Sequence, residues 1–538
     1  MMVGIIFFKK IYAALLLLVA GVCAAITPAL PSIDANGCFL ISNAEELYGF
    51  AAVVNGTNGM SKDVEACGKL TGDITVNQNV LATIDTTLVS TSLFTGWTPL
   101  KNFGGSFDGN GHSISGLYQY AYWSPYGSAV GFVGSLAANS KVVIKNLEVK
   151  DSYFFADDAS ADFTPGTLVS DVPRGASLSI ENCHANARII GYTYAGGLVG
   201  ASDGTVKIEK SSFSGKLTAW MYIGGLIAKG GGYSTLTILD SHNSASFVLD
   251  SRHQYKPKSG GLVAIVSGSA TIERSYNDGL IVGGDYTGGL VGYVSGEASI
   301  SECYNVAPVT GASGVGGLVG CATDSLYVAN SYNVGDLSAM SSVGGILGHS
   351  ARKTSIINCF NGGKILENVT NSGGIVGYRA TSYVLGEENF FKVENSYCPA
   401  EVEVYNGGSN VSDDAFKNGL LARLLHDYEA EGIKGSVWGQ NVGSDDYPVL
   451  TGSIQNAKTD VFNKHSFVTS EKLFGVVAEG RRLMFWNANV GEEFDVLDMQ
   501  GRVIRAERVN QPRFEVRLQT AGSYIVRIGR FMTRVNLK

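Results

Sequence analysis

The feature that most constrains this chain is a short glycine motif that returns in phase along its middle. The motif reads x-Gly-Gly, then Leu or Ile, then an aliphatic residue, then a small residue. Its Gly-Gly pairs begin at residues 196, 224, 260, 288, 316, 344 and 373, at intervals of 28, 36, 28, 28, 28 and 29. In-phase repetition of this kind indicates a repeat architecture, in which each unit buries its apolar face only against its neighbours.

A second marker precedes most copies of the motif and reads RSYNDG, ECYNVA, NSYNVG or NCFNGG. Each unit is therefore a strand-like run, a loop, the glycine motif and a polar turn, with no helical pattern. A 28-residue period without helices predicts an all-β fold, a parallel β-helix (β-solenoid) whose coils stack at the strand spacing of about 4.8 Å. The chain has 69 glycines and only 11 prolines in 538 residues, which fits many short strands joined by tight turns.

Stacking decides which residues share a position in successive coils. The Leu or Ile of each motif is predicted to form an interior aliphatic ladder, and the small residue that ends the motif is predicted to fit a tight corner. The asparagines of the second marker also align, and stacked Asn side chains can hydrogen-bond along the rod. The aliphatic ladder is Leu198, Leu226, Leu262, Leu290, Leu318, Ile346 and Ile375, and the asparagines are Asn277, Asn305, Asn333 and Asn361.

The same register makes a prediction about the cysteines. Cys303 and Cys359 occupy equivalent positions two coils apart, with Ser331 between them. Their separation of about 9–10 Å would exceed the ~7 Å Cα limit for a disulfide, so we expect both to be buried, unbridged residues. Cys38 and Cys67 flank one small N-terminal segment and are the best disulfide candidate.

The repeated units of residues 180–400, in which the glycine motif follows an S-Y-N-x-G stretch, resemble GLUG repeats. GLUG repeats occur in bacterial surface and secreted proteins, including some immunoglobulin A peptidases and adhesin-like proteins. VGFVGSL (130–136) resembles a divergent copy, and GGSFDGNGHSISGL (104–117) resembles the first segment of such solenoids. The resemblance implies an architecture and a location, and it implies no single activity.

The first residues look like a secretory signal. Lys9 and Lys10 precede an apolar stretch, and small residues around Cys23 fit a cleavage site. The apolar run is shorter than the ~20 residues that a spanning helix needs, so we expect a secreted or surface-displayed chain with no transmembrane helix after cleavage. The alternative is an uncleaved membrane anchor.

The last residues alternate apolar and polar side chains, which predicts a small antiparallel β-sandwich. LDMQGRVI and AGSYIVRI…TRVNLK resemble the C-terminal sorting domain of type IX secretion substrates. The resemblance implies a partner, the secretion machinery, and a domain that is either cut off or anchored at the surface. The alternative is a generic immunoglobulin-like module. The matching positions are Asp498, Gly501, Arg502, Gly522, Tyr524 and Lys538.

These observations divide the chain into six parts. Amphipathic patterns predict helices at 43–55 and 412–428, in two caps that would cover the open apolar ends of the rod. The parts are a signal peptide (1–25), an N-terminal cap with the first coils (26–165), the GLUG-like solenoid (166–400), a C-terminal cap (401–452), a linker (453–480) and the sorting-like sandwich (481–538).

The sequence contains no recognisable catalytic or cofactor set. It lacks a GK[ST] phosphate loop, an HExxH zinc motif and a GxSxG nucleophile elbow. Its net charge of −8 argues against a nucleic-acid partner. Asp108 and Asn110 in FDGNGH offer oxygen ligands for calcium, but their Asp-Gly and Asn-Gly dipeptides favour a plain turn.

These patterns favour binding over catalysis. Polysaccharide lyases and hydrolases on β-helices use a groove with clustered charges, whereas residues 286–348 contain four acidic residues and no Lys or Arg. Tyr276, Tyr304 and Tyr332 could stack on sugar rings if they were exposed, although an interior ladder is the favoured interpretation. Our hypothesis is adhesion or binding of a surface glycan or protein. The alternatives are a polysaccharide-active enzyme and a passive structural spacer.

Overall fold

The computed structural model describes residues 25–86, 93–121, 129–156, 163–249, 256–366, 369–380, 390–402 and 406–455. Beyond these it describes 475–479, 482–486, 491, 493–498, 502–511, 514–520, 522–528 and 531–537. The predicted signal segment therefore lies almost wholly outside the described residues. The chain divides into two compact units. The solenoid unit comprises residues up to Asp413 together with Leu424–Trp438, and the C-terminal unit comprises Asp414–Arg423 and the residues from Gly439 onward.

The solenoid unit is a parallel β-helix, as predicted. Strands of successive coils pair in parallel to build five sheets, here numbered 1 to 5. An antiparallel pair, Ser32–Ile33 with Phe39–Ile41, lies at the first edge of sheet 1. The other strands of sheet 1 are Cys67–Leu70, Ser106–Asp108, Lys141–Lys145, Ser177–Glu181, Thr205–Glu209, Thr235–Leu239, Ser269–Glu273, Glu297–Ser301, Ser325–Ala329, Thr354–Ile357 and Phe391–Glu394.

Sheets 2 and 3 run alongside sheet 1 for most of the rod. Sheet 2 comprises Ile74–Thr75, Ser113–Ser115, Tyr118–Tyr120, Glu148–Ala156, His184–Gly191, Ser212–Thr218, His242–Asn243, Ser246–Phe247, Tyr276–Asn277, Tyr304–Asn305, Tyr332–Asn333, Phe360–Asn361, Tyr397–Pro399 and Ser409–Val411. Sheet 3 comprises Val133–Ser135, Val169–Val172, Val199–Ser202, Ile227–Gly230, Val263–Val266, Val291–Val294, Val319–Ala322, Leu347–Ser350 and Val376–Arg379.

Sheets 4 and 5 are shorter and belong to the coils with the glycine motif. Sheet 4 comprises Tyr194–Gly196, Tyr222–Gly224, Lys258–Gly260, Thr287–Gly288, Ser313–Gly316, Ser341–Gly344 and Thr370–Gly373. Sheet 5 comprises Ile281–Val282, Val309–Thr310, Leu337–Ser338 and Ile365–Leu366.

The register predicted from the repeat is confirmed. In sheet 4 the first glycine of each motif pairs with that of the next coil, as Gly288 does with Gly260 and Gly316. All seven residues of the aliphatic ladder are fully buried in one core that runs through the unit. The Leu290 N–H donates to the Leu318 carbonyl over 2.8 Å, and this contact recurs between the other rungs of the ladder. The glycine motif therefore marks the same place in every coil.

The second glycine of the motif is required by a close approach. A Cβ atom at Gly289 would lie 2.1 Å from the carbonyl oxygen of Gly317 and 2.6 Å from Cγ of Asn305. The equivalent glycines of neighbouring coils, Gly261 and Gly317, have the same two kinds of contact. Since the obstructing atoms are backbone and a fully buried side chain, no side chain can enter here without moving the coil below.

The predicted asparagine ladder is confirmed and is one rung longer than expected. The side-chain amide of Asn277 donates to Oδ1 of Asn305 over 2.8 Å, and Asn305 donates to Asn333 over the same distance. Asn243 adds a rung before Asn277 at 2.7 Å. Each of Asn277, Asn305 and Asn333 also donates to a backbone carbonyl two residues further on. The ladder satisfies polar groups that lie wholly inside the rod.

The cysteine predictions are also confirmed. Cys38 and Cys67 form a disulfide. Cys303 and Cys359 are fully buried and unbridged, and Oγ of Ser331 accepts from the Cys303 N–H at 3.1 Å. Burial raises the pKa of both thiols to about 12, so they stay protonated and act as small core residues.

Coils extend upstream of the repeat, and the N-terminal helix packs against the first of them. Val133 pairs with Val169, which pairs with Val199, so the segment 130–136 belongs to a coil of the solenoid, as predicted. Residues 166–170 form a further copy of the motif that was not predicted. Thr167 replaces the expected second glycine, and Ser170 replaces the Gly or Ala that ends the other copies. The helix Ala44–Asn55 begins after its N-cap Asn43, close to the predicted 43–55, and its Phe50 packs among aromatic rings of the first coils. A second helix spans Val80–Thr86.

The segment predicted as the C-terminal cap is divided in the structure: its first part contacts the last core residues, where Val402 packs and Gly408 lies against Ile375, and its later part has a different role. The expected helix at 412–428 is two helices, Asp413–Lys417 and Leu420–His426, because Gly419 takes a positive φ of 85° between them. Residues Leu424–Trp438 belong to the solenoid unit, and we call them the strap. The strap contains the short pair Glu429–Ala430 and Ile433–Lys434 and the 3-10 helix Gly435–Val437.

The strap, a later part of the predicted cap, covers the side of the last coils. Ile433 packs on Ala329 and Ile357, at outward-facing positions of sheet 1. The Trp438 ring lies 5.5 Å from that of Phe360. The side chain of Asn358 donates to the Leu425 carbonyl at 3.0 Å. The physical reason is that these outer faces are themselves apolar and need cover.

The C-terminal unit contains the predicted antiparallel sandwich. One sheet comprises Gly475–Glu479, Arg482–Trp486 and Phe514–Arg517, and the other comprises Glu493–Asp498, Val503–Arg508, Gly522–Ile528 and Phe531–Leu537. A separate core that includes Phe485, Phe494 and Val526 holds the two sheets together. The first strand begins at Gly475, so the C-terminal boundary of the predicted linker at 453–480 was placed too late in the sequence. A parallel pair, Gln440–Asn441 with Ile454–Gln455, lies earlier in this unit.

The close approach at Gly289 can be tested by substitution. We expect Gly289→Ala to lower the free energy of unfolding of the solenoid by several kcal/mol, because overpacking against atoms that cannot move costs about 1–3 kcal/mol and the asparagine ladder would also be disturbed. Gly232→Ala is the matched control, since a Cβ there meets nothing within 4 Å. Urea unfolding followed by circular dichroism measures both. Equal midpoints for the two variants would contradict the proposed packing.

Candidate functional site

The outer faces of sheets 3 and 4 carry the residues that flank the glycine motif. The residue two places before each Gly-Gly lies next to an inward residue of sheet 4, so it faces outward. The residue after the final small residue likewise faces outward from sheet 3. The sheet 4 series is Tyr194, Tyr222, Lys258, Tyr286, Gly314, Ser342 and Asn371. The sheet 3 series is Ala201, Lys229, Ile265, Tyr293, Cys321, His349 and Tyr378.

Side chains of the two series meet outside the rod. The Lys229 Nζ atom lies 5.3 Å from the centre of the Tyr194 ring. The rings of Tyr286 and Tyr293 are stacked with centres 5.4 Å apart, and Tyr286 also meets His349 edge-on at 6.3 Å. Outward-facing side chains splay apart at a convex corner, so from these contacts we infer that the two sheets are inclined towards each other and that the junction is concave. We call it the seam, formed by Tyr194, Tyr222, Lys229, Lys258, Tyr286, Tyr293, Cys321, His349 and Tyr378.

Tyr286 is held in the seam by an unusual backbone conformation. Its φ is 62°, in the left-handed region that bulky residues seldom adopt and that costs of order 1–3 kcal/mol. Its N–H donates to the Ser313 carbonyl over 2.7 Å. Its ring lies across Gly314, where a Cβ would come within 2.7 Å of the ring. The fold thus holds an aromatic ring at this point against the preference of its own backbone.

The seam is partly buried, and this burial shifts the pKa values of several of its titratable groups. Burial lowers the pKa of His349, so its imidazole is neutral at pH 7. Burial also raises the pKa values of Tyr222 and Tyr286, which keep their hydroxyl protons. The Cys321 thiol is buried beside Tyr286, and its pKa is raised to about 12. These groups present rings, hydroxyls and a neutral imidazole.

One carboxyl lies near the upstream end of the seam. Asp171 occupies the sheet 3 position before Ala201, two coils from Lys229. Burial raises its pKa, the nearby Asp203 raises it further, and the charge of Lys229 opposes them. The described residues hold no group of three or more His, Cys, Asp or Glu able to bind a metal ion.

The tyrosines expected in an interior ladder lie on the outside of sheet 2. In each strand the Asn faces the core, so the preceding Tyr276, Tyr304 or Tyr332 faces outward, and the interior interpretation is wrong. The rings stack on one another at 4.8–4.9 Å. His242 and Phe360 extend the stack at either end, and Trp438 of the strap covers its last two rings. Because ring faces in such a stack are occupied by neighbouring rings, they are poorly available to a sugar.

The two calcium candidates are part of a turn. The carboxylate of Asp108 accepts from the backbone N–H of Asn110 at 2.8 Å and from the side-chain amide of Asn146 at 3.1 Å. Lys145 lies 3.6 Å from its other oxygen. Asn110 has a φ of 53°, and its side chain donates to the Leu70 carbonyl at 3.3 Å. The Asp108 oxygens are thus engaged with donors of the protein itself.

The sorting-like residues are dispersed over one sheet of the C-terminal unit. Asp498 ends one strand and pairs with Tyr524 of the next. The Tyr524 side chain is buried, and its hydroxyl donates to the Thr520 carbonyl over 2.9 Å. Gly522 begins that strand with a φ of 154°, and Arg502 is exposed. Gly501 and Lys538 lie outside the described residues.

The residues of the seam were not predicted from the sequence, because they form no recognisable motif of their own. The signal was present at the two positions that border each copy. The position after the small residue varies among Ala, Lys, Ile, Tyr, Cys and His, while the motif beside it barely changes. Tyr stands two residues before Gly-Gly in three of the seven copies.

Comparison with known proteins leaves the family open. No model of a protein family matches this chain, and no curated protein matches it. A solved structure from Bacteroides ovatus, of a protein proposed to be an immunoglobulin A1 protease, aligns over 79% of this chain and 96% of its own. The identity is 15% and the TM-score is 0.27. Among the described residues, no helix has the length and apolar character to cross a membrane.

The neutral imidazole of His349 predicts a pH dependence of stability. Because its folded pKa lies below the unfolded value of about 6.5, the unfolded chain binds more protons, so stability is present above pH ~6.5 and falls below it. We expect His349→Gln to lose less stability than the unsubstituted chain between pH 7.5 and about 5.5. His242, whose pKa burial also lowers, should retain part of the effect, and the double variant should lose still less. Unfolding midpoints at several pH values measure this, and an unchanged pH slope in His349→Gln would contradict it.

Proposed function

We propose that this chain is a secreted or surface-displayed solenoid that binds glycans along the seam and has no catalytic activity of its own. The observation that carries the proposal is the seam itself, a concave series of tyrosines whose exposure ranges from 8% at Tyr194 to 37% at Tyr378. Sugar-binding sites need aromatic rings beside a few fixed polar groups. The seam offers tyrosine rings and hydroxyls, two lysines and a neutral imidazole on successive coils. At its downstream end, Tyr378 is 37% exposed as a whole residue.

The rigidity of the scaffold supports binding by the seam. Every seam residue except Tyr286, which immediately precedes the strand Thr287–Gly288, lies on a strand that pairs with neighbours on both sides, apart from the strands at the ends of the sheets. The ladders of Leu and Asn beneath it are fully buried. A ligand therefore meets a surface that is already ordered, and binding costs little conformational entropy.

A glycan array probed with the chain from residue 26 onward tests the proposal. We expect binding to a subset of glycans, weakened about tenfold by Tyr222→Ala or Tyr378→Ala, because loss of one aromatic contact removes about 1 kcal/mol or more. Tyr276→Ala is the matched control, since it removes a tyrosine from the outer stack of sheet 2. Circular dichroism verifies that all variants are folded.

The other outcomes distinguish the remaining functions. An array without retained glycans would favour a passive spacer. Shortened products in the presence of the chain would favour a polysaccharide-active enzyme, and Asp171 is then the residue to test, because its pKa is raised beside Asp203. Asp171→Asn would abolish such cleavage and would leave simple binding in place.

We further propose that the N-terminal segment directs export and that the C-terminal sandwich serves as a sorting domain. The support is the signal-like sequence at 1–25 and the resemblance of the last strands to type IX sorting domains. The GLUG-like repeats fit the same location. The seam, as a binding surface, would then face the medium outside the cell.

Expression in a bacterium with type IX machinery tests the location. We expect N-terminal sequencing of the exported chain to begin at Ile26 or Ala25, and deletion of residues 475–538 to retain the protein in the periplasm. Arg505→Ala, a charge removal on a strand of the same sheet outside the matching positions, is the control and should leave export unchanged. Export of the deleted form at the normal level would contradict the sorting role.

A further inference from the structure

Two lysines lie in the seam on neighbouring coils. Lys229 lies in the sheet 3 strand Ile227–Gly230, and Lys258 begins the sheet 4 strand of the next coil. The Lys258 Nζ atom is 5.8 Å from the Tyr222 ring centre and 5.6 Å from that of Tyr286. The Lys229 ammonium also acts on Tyr222, whose pKa it tends to lower. The rings of Tyr194 and Tyr222 are stacked with centres 5.2 Å apart, so Lys229 over the first ring and Lys258 near the second bring two ammonium groups to one pair of rings.

Neither lysine has a carboxylate partner among the described residues. Other cations on the outer faces of the solenoid do have such a partner, because Lys145 pairs with Asp108, Lys207 with Glu209 and Arg274 with Asp240. No described carboxylate lies within 4.0 Å of the Nζ atom of Lys229 or Lys258.

The acids nearest to these lysines do not pair with them. Asp171 lies two coils upstream of Lys229, and its carboxyl is not within 4.0 Å of the Lys229 ammonium. Asp285 precedes Tyr286 and is exposed to water, where its charge is screened. The ammonium groups are directed at ring faces, which stabilise a cation by about 1 kcal/mol and leave its N–H donors available. Two such cations in a partly dry concavity form a site for an anion.

We propose that the seam between Lys229 and Lys258 binds a sugar that carries a negative charge, a carboxylate or a sulfate ester, with the anionic group on the two ammonium groups and the sugar ring beside Tyr222. This inference rests on the proposed binding of glycans and names their class. The site takes an acidic residue of a chain that runs along the rod. The anionic group of the sugar takes the place of the carboxylate partner that both lysines lack among the described residues.

Isothermal titration of the chain from residue 26 onward tests the inference with three probes of equal length. The probes are an oligogalacturonate, its neutral methyl ester and a sulfated oligosaccharide. We expect an acidic probe to bind at least tenfold more tightly than the neutral one, with affinity that falls as salt rises. The comparison of oligogalacturonate with the sulfated probe decides which anion the site takes.

Charge-removing variants locate the site. Lys229→Gln and Lys258→Gln should each weaken the acidic probe by about tenfold or more, the loss expected for one hydrogen bond to a charged group. Lys207→Gln is the matched control, because it removes the same charge from the outer face of sheet 1, where Glu209 pairs with it. Circular dichroism confirms that the three variants are equally folded.

The results separate this inference from the proposed function. Equal binding of the acidic and neutral probes would overturn the inference and leave glycan binding standing. If Lys207→Gln lost as much affinity for the acidic probe as the two seam variants, the anionic group would not bind between Lys229 and Lys258. Absence of binding to all three probes, together with an array that retains no glycan, would overturn both proposals.

Discussion

The rest of the solenoid depends on the approach of each coil to the next at the second glycine of the motif. At Gly289 the backbone lies so close to the carbonyl of Gly317 and the side chain of Asn305 that no Cβ fits. This contact joins the sheet 4 corner of one coil to the asparagine ladder, and the leucine ladder begins at the next residue. A slip of one residue would expose Leu290 and leave buried amides without partners. The glycine therefore locks an apolar and a polar ladder into the same register.

The same corner creates the surface on which function is proposed. Because the chain turns sharply after Gly-Gly, the strands before and after it belong to sheets inclined towards each other. Positions inside the corner are restricted to small residues, whereas those on its outer flanks are nearly unrestricted. Tyr222, Lys229 and Lys258 occupy such flanks. The repeat thus supplies rigidity, and the variable residues beside it supply the chemistry.

Much of the fold could be predicted because stacking is a local rule repeated many times. The ladders, the buried Cys303 and Cys359, and the helix after Asn43 all follow from periodicity or from capping. The outward direction of Tyr276 also follows from alternation once Asn277 faces inward, but its hydrophobic ring favoured an interior position. The strap could not be predicted, because Trp438 meets Phe360 through a return of the chain that no period encodes. The seam required the angle between sheets 3 and 4, which depends on contacts between coils.

Tyr286 shows that the seam is not simply what remains once the fold is satisfied. The next three coils place Gly314, Ser342 and Asn371 at this position, all with positive φ. Gly and Asn suit that conformation, and a tyrosine suits it poorly. The strain at Tyr286 is borne by a rod whose register is fixed elsewhere, and what it gains is an aromatic ring between Lys258 and Tyr293. If stability alone governed this position, glycine would serve better, and a role in the proposed binding of glycans would explain why a ring stands there instead.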